Sequence, residues 1–175
     1  MPEKETAGNP MRKIFIDKVV INIGTGSEAP AQLNAKRLLE IISGEKPADE
    51  ISRKRNPAFK ITKGQKIGAF VTLRRGKAVD IAKRLFDAVD NKVRERSITN
   101  NSLSFGINEY IDISGVKYDP KIGMLGMNVS MSFRRPGMRV ALRKRRRAYV
   151  SRSHSVIAPD EIKGFLEGKF NVSFV

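Results

Sequence analysis

Four stretches of this 175-residue chain place an apolar side chain at every second position: Val19, Ile21 and Ile23; Ile67, Ala69, Val71 and Leu73; Leu103, Phe105 and Ile107; Met127, Val129, Met131 and Phe133. Successive side chains of an extended strand point to opposite faces, so each stretch predicts a strand with one buried and one wet face. Between the first two, Gly24, Thr25, Gly26 and Ser27 turn the chain. Pro30 then suits a first helical position, and Ala35, Leu38, Leu39 and Ile42 predict a helix over residues 30–43, stopped by Gly44 and Pro47. Residues 49–53 read as a short strand, and residues 54–68, broken by Asn56, Pro57, Gly64 and Gly68, as a long exposed basic loop. Ala78, Ile81, Ala82, Leu85, Val89 and Lys92/Val93 predict the longest helix between residues 77 and 96. The last two alternating strands follow with no helix between them, Ile111 and Ile113 being expected to extend the first as far as Gly115. A final helix is expected over residues 159–169, with Asp160 and Glu161 in its first turn, and an extended tail after it. Adjacent strands without crossover helices require antiparallel pairing. The expected fold is α+β, a two-layer sandwich with a mostly antiparallel sheet, helices packed on one face and long basic loops. Residues 1–10 read as a flexible N-terminal tail and residues 11–175 as a single domain.

The charge is concentrated in two places. Lys and Arg total 34 against 18 Asp and Glu, a formal net charge of +16. Residues 53–77 hold nine of the cations (Arg53, Lys54, Arg55, Lys60, Lys63, Lys66, Arg74, Arg75, Lys77) and no carboxylate. Residues 134–152 hold nine more (Arg134, Arg135, Arg139, Arg143, Lys144, Arg145, Arg146, Arg147, Arg152), again with no acid. The remainder is close to neutral. A merely solvated surface mixes both signs, because like charges at this density repel and destabilise the compact state unless a partner neutralises them. The pair of segments therefore predicts a polyanion site. Period-2 bookkeeping adds a second surface. Asn22, Phe70, Thr72, Arg74, Asn128, Ser130 and Ser132 fall opposite the apolar strand face, where amides and hydroxyls can meet sugar hydroxyls and base edges and Phe70 can stack on an exposed base.

Most catalytic chemistries lack their residues. Cys is absent and His154 is the only histidine, so thiolate nucleophiles, disulfides and thiolate zinc sites are excluded. His154, beside the second basic segment, reads as a turn or RNA-contacting residue. The pairs Asp49/Glu50 and Asp160/Glu161 are sequence neighbours whose side chains diverge, which serves capping better than acid–base work. Gly24-Thr25-Gly26-Ser27-Glu28-Ala29 fits a dinucleotide fingerprint, and a nucleotide-binding protein using that turn is the alternative reading. Against it, Glu28 sets a carboxylate beside the pyrophosphate, and the element order is not alternating β-α. No metal and no cofactor are expected. No leader, no span of about 18 apolar residues and no basic amphipathic helix with an aromatic face is visible, so a cytoplasmic chain without a membrane partner is expected.

Several separated blocks come in a familiar order: Val19-Val20-Ile21-Asn22-Ile23-Gly24, Ile42-Ser43-Gly44-Glu45-Lys46-Pro47, Phe59-Lys60-Ile61, Ile67-Gly68 with Val71-Thr72-Leu73-Arg74, Phe105-Gly106-Ile107, and Gly115-Val116-Lys117-Tyr118-Asp119-Pro120-Lys121-Ile122-Gly123. In these blocks the chain resembles the large-subunit ribosomal protein five family, the universal 5S-rRNA-binding protein of the central protuberance. The Lys-Tyr-Asp-Pro block, Arg135-Pro136-Gly137 and the Arg-rich stretch after it look like the archaeal and eukaryotic branch. The resemblance implies a non-enzymatic protein of the large ribosomal subunit that anchors 5S rRNA. Asn22 and Thr72 would face 5S rRNA, with Phe70 and Arg74 on the same surface. Arg134, Arg135, Arg139, Arg143, Lys144, Arg145, Arg146 and Arg147 would grip ribosomal RNA. The loop carrying Arg53, Lys54, Arg55, Phe59, Lys60, Lys63 and Lys66 would reach transfer RNA in the peptidyl site. The partners implied are 5S rRNA, large-subunit rRNA, peptidyl-site tRNA and neighbouring ribosomal proteins, including the other 5S-binding protein of the protuberance and a small-subunit head protein. Glu45 stands where the family usually has Gln, and its charge repels phosphate, so that contact is not carried over.

Overall fold

The alternating stretches all become strands of one sheet. The computed structural model describes residues 9–26 and 28–175, so the expected tail at residues 1–10 falls almost wholly outside the described residues. Strands β1 (Phe15–Gly24), β2 (Ala48–Ile51), β3 (Lys66–Leu73), β5 (Ile98–Thr99), β6 (Ser102–Ile107) and β7 (Met127–Arg134) form a sheet of order β2-β3-β1-β7-β6-β5, β4 (Lys92–Val93) lying elsewhere. Every pairing in it is antiparallel. The α+β expectation holds.

Register explains the single core. Val19 lies opposite Leu73 and Met131, and Ile21 opposite Val71 and Val129. Leu103 and Phe105 continue those rows on β6. The apolar face is thus continuous across four strands, and each of these residues except Phe105 is buried. Helix α1 (Ala29–Ser43) packs against β3 and buries Ala35, Leu38, Leu39 and Ile42. Its C-terminus is closed by Gly44 in the left-handed conformation, φ 63°, where a side chain would be strained. Helix α2 (Gly76–Asp87) packs against β1. Phe86 at its end stacks on Phe105 of β6, centroids 5.4 Å apart, and meets Phe170 at 5.3 Å. Phe170 ends α5 (Pro159–Phe170), so three aromatics join two helices to the sheet. Two short helical turns, α3 (Arg139–Leu142) and α4 (Arg152–Ser155), lie in the second basic segment.

Two elements differ from the sequence reading. The second helix stops at Asp87 instead of running towards residue 96, because Asp90 and Asn91 take left-handed φ of 54° and 56°. Val93, apolar at helical spacing, is buried through a parallel pairing of β4 with β8 (Ser173–Phe174) at the chain's end. Ile111 and Ile113 do not extend a strand. A 3-10 turn, Tyr110–Asp112, replaces it, and the fully buried Tyr110 accepts the Asp119 N–H at its hydroxyl, 3.1 Å away. Asp119 in turn caps Lys121 and accepts from the Ile122 and Gly123 amides, so the Lys-Tyr-Asp-Pro block is a docked turn. No described helix is long and apolar enough to cross a membrane.

Candidate nucleic-acid interface

The wet face of the sheet assembles as the alternation requires. One cross-strand row runs Phe70, Asn22, Asn128, Gly106; the next runs Thr72, Val20, Ser130, Ser104; a third pairs Lys18, Ser132 and Ser102. Thr72, Ser104, Asn128 and Ser130 are exposed, and Asn22, Phe70, Ser102 and Ser132 are half-buried. Ser104 and Ser130 share a hydroxyl–hydroxyl hydrogen bond of 3.1 Å. Short side chains keep the surface low, so a second surface can approach the sheet closely while hydroxyls and amides meet its polar groups. Ser102, Ser104 and Gly106 were not among the expected site residues, although the alternation that buried Leu103, Phe105 and Ile107 points them here. Arg74 lies just beyond β3, and its guanidinium turns to Asp17 at 3.5 Å.

Residues 54–65, expected within a long exposed basic loop, are mostly exposed and fold back on themselves as a hairpin-like loop. Ser52 and Gln65 pair through the backbone, Asn56 and Ile61 form an antiparallel bridge, and a 3-10 turn, Pro57–Phe59, makes the tip. Lys60 holds φ 53° there. Phe59 stands 71% exposed at that tip, an aromatic among cations. Arg53, Lys54, Arg55, Lys60 and Lys63 are exposed and make no ion pair among the described residues. Lys66 differs. It belongs to β3 and pairs with Asp49 at 3.0 Å. Asp49 also takes Lys36, and these two ammonium groups, Lys36 foremost, hold its carboxyl below its ordinary value. Lys77 pairs with Glu45, which gives that departure from the family pattern an internal partner.

The second basic segment divides into buried and offered cations. Arg134 meets Asp17 at 3.0 Å. Arg135 corrects the expectation that every arginine here faces outward. It is 7% exposed, pairs with Glu161 of α5 and donates to the carbonyls of Ser153 and His154 at 3.1 and 3.4 Å. It ties the far end of the segment to the body. Asn101 does the same from the sheet, donating to the Ser155 carbonyl at 2.8 Å and accepting from the Ile157 amide at 2.6 Å. His154 shares a 2.9 Å hydrogen bond with the Pro136 carbonyl, a turn role. Between these ties Arg139, Arg143, Lys144, Arg145, Arg146 and Arg147 are all exposed. Arg143 donates to the Arg146 carbonyl at 2.8 Å and Arg146 takes φ 51°, which folds the run back on itself. Tyr149, 88% exposed, follows it.

The glycine turn after β1 is spent on the fold. The Thr25 and Gly26 amides both donate to the Ile67 carbonyl at 3.0 Å, so neither is free for a phosphate. Ser27 of that turn lies outside the described residues. Among the described residues no group of three acidic or histidine side chains could hold a metal ion.

Comparison with known proteins finds relatives along nearly the whole chain. Residues 9–62 match the family model described as Ribosomal protein L5, and residues 66–157 match the model for the C-terminus of that ribosomal protein family. The chain is similar to Large ribosomal subunit protein uL5 of Cenarchaeum symbiosum, 44% identical over 94% of this chain and 98% of that protein. It is also similar to the uL5 proteins of Sulfurisphaera tokodaii, 38% identical over 100% and 99%, and Nitrosopumilus maritimus, 40% identical over 97% and 98%.

Proposed function

Since the chain belongs to the ribosomal protein L5 family, archaeal type, and is a structural, non-enzymatic protein of the large ribosomal subunit, we propose that its sheet face binds 5S rRNA and its two cationic arms bind the RNA around it. The observation that carries this reading is the low polar face of β1, β3, β6 and β7, flanked by exposed cations of the two acid-free segments that have no carboxylate partner among the described residues. Cations that displace counterions from phosphates supply affinity without sequence preference, while hydroxyls and amides on a shaped surface supply the choice of RNA. Arg is suited to the second arm because its planar fork grips phosphate oxygens in pairs. In this assignment Asn22, Thr72, Ser104, Asn128 and Ser130 meet 5S rRNA, and Arg139 with residues 143–147 meets large-subunit rRNA. The Phe59 hairpin, with Lys60 and Lys63, reaches the transfer RNA in the peptidyl site. Residues 11–175 act as one unit, with neighbouring ribosomal proteins as further partners.

The test compares surfaces. Thr72→Ala or Asn22→Ala weakens 5S rRNA binding at every salt concentration. Replacing Lys60 and Lys63 by Gln leaves 5S rRNA binding intact and weakens engagement of peptidyl-site tRNA by reassembled ribosomes. The opposite pattern, 5S rRNA lost with the hairpin lysines and kept without Thr72, reverses the assignment.

A further inference from the structure

Glu50 is out of place on a surface built for phosphates. It lies on β2 opposite Gly68, half-buried, on the same face as Asn22 and Phe70, in a chain of net charge +16. No Lys or Arg pairs with it among the described residues. A carboxylate there repels phosphate and is useful only towards hydrogen-bond donors. One oxygen, Oε2, accepts from Asn22 Nδ2 at 2.7 Å. Because a carboxylate can only accept, this bond fixes which end of the Asn22 amide faces Glu50 and leaves Asn22 Oδ1 as an acceptor. Glu50 Oε1 takes no hydrogen bond among the described residues.

Beside this pair a cleft opens, lined by Glu50, Ser52, Arg53, Ile67 and Phe70. Asp49 also borders it but is committed to Lys36 and Lys66. The cross-strand row of Glu50 continues through Gly68 to Gly24, two residues without side chains that could cover the Glu50 carboxylate from the neighbouring strands. A carboxylate, an aromatic ring and a free guanidinium around one cleft together match one nucleotide. The ring stacks on the base, the guanidinium takes the phosphate, and the carboxylate reads the base edge. Guanine presents two parallel donors, N1–H and N2–H, on its Watson–Crick edge, whereas adenine and cytosine present one amino group and uracil one N–H.

We propose that the Glu50–Phe70 cleft holds an unpaired guanine of the bound RNA, a reading that rests on the sheet face being the rRNA interface. The base must come from a loop or bulge, since pairing occupies the edge that Glu50 reads. The test uses uridine hexamers carrying a single central guanine, inosine, adenine or cytosine, with the intact chain and with Glu50→Gln, alongside full-length 5S rRNA. The wild-type chain prefers the guanine hexamer over the others by about tenfold or more, in keeping with the discrimination of a paired hydrogen bond. Inosine, which lacks the N2 amino group, falls between guanine and adenine. Glu50→Gln brings the four within about twofold of one another. Phe70→Ala weakens all four hexamers together and leaves their order unchanged. No guanine preference in the wild-type chain, a preference that survives Glu50→Gln, or no hexamer binding while 5S rRNA still binds, overturns the pocket but spares the interface. If 5S rRNA does not bind either, the interface reading fails and the pocket falls with it.

Discussion

Replacing Arg135 by Ala separates the cations that hold the molecule together from those it offers to RNA. The Arg135 guanidinium donates to the carbonyls of Ser153 and His154 and pairs with Glu161. A hydrogen bond to a charged group contributes about 1.5–3 kcal/mol, with the 3.4 Å contact to His154 at the weak end. Breaking a fully buried pair costs about 3–5 kcal/mol. Glu161, however, is about half exposed and returns to water, so the pair's share is discounted and the total is about 3 kcal/mol. In a chain of this size each kcal/mol moves the melting temperature by about 2–4 °C, so Arg135→Ala is expected to lower it by about 6–12 °C. Arg145→Ala, at an exposed position, changes stability by less than about 0.5 kcal/mol. The assay is thermal unfolding followed by circular dichroism, with rRNA binding measured well below the transition. There the ranking inverts, Arg145→Ala weakening rRNA binding and Arg135→Ala leaving it nearly unchanged. Equal melting shifts for the two variants would refute the division.

Two further perturbations address the scaffold. A Cβ at Gly68 lies 2.6 Å from the Ile23 carbonyl oxygen, so Gly68→Ala forces β1 and β3 apart and costs about 1–3 kcal/mol in urea unfolding; a neutral result contradicts the register given for these strands. The Asp49 carboxyl is depressed below its ordinary 3.8 by Lys36 and then Lys66, so its stabilisation is fully present above that value and is lost as pH falls through the lower folded value. Asp49→Asn is therefore less stable than the wild-type chain at neutral pH, and the difference closes on acidification. Urea midpoints that stay equally far apart under acid would contradict this sign.

The parts of the structure that local period controls were legible in advance. Val19, Ile21 and Ile23 announced both a buried face and, through Asn22, the wet one, because a strand cannot bury one face without exposing the other. Ser102 and Ser104 carry the same signal, flanking Leu103 as Asn22 flanks Ile21, and the alternation alone suffices to find them. What local pattern could not reveal was set by distant partners. Val93 sits at helical spacing, yet its burial comes from pairing with Phe174 at the other end of the chain. Arg135 and Arg145 look alike in a basic run, and Glu161, brought in by α5, is what distinguishes them. Residues 54–68 read as a loop because Asn56, Pro57 and Gly64 break periodicity, and the bridge between Asn56 and Ile61, which no local pattern announces, folds that loop back into an arm. Glu50 read as a capping acid beside Asp49, and only the pairing of β2 with β3, which sets these two neighbours on opposite faces, gives it a place in the RNA surface.

The central claim is that exposed cations of the two acid-free segments, held out by the sheet and not neutralised by the chain's own carboxylates, supply the affinity for ribosomal RNA. Its most direct test is the salt dependence of binding to large-subunit rRNA, 5S rRNA included. The comparison is between the wild-type chain and a variant with Arg143, Lys144, Arg145, Arg146 and Arg147 replaced by Gln. Each phosphate contact contributes about −0.7 to −0.9 to the slope of log affinity against log salt. The wild-type slope is therefore steep, and the variant is shallower by about that amount for every contact removed, with an unchanged melting temperature. A wild-type slope close to zero, or a variant whose slope matches it, would contradict the account.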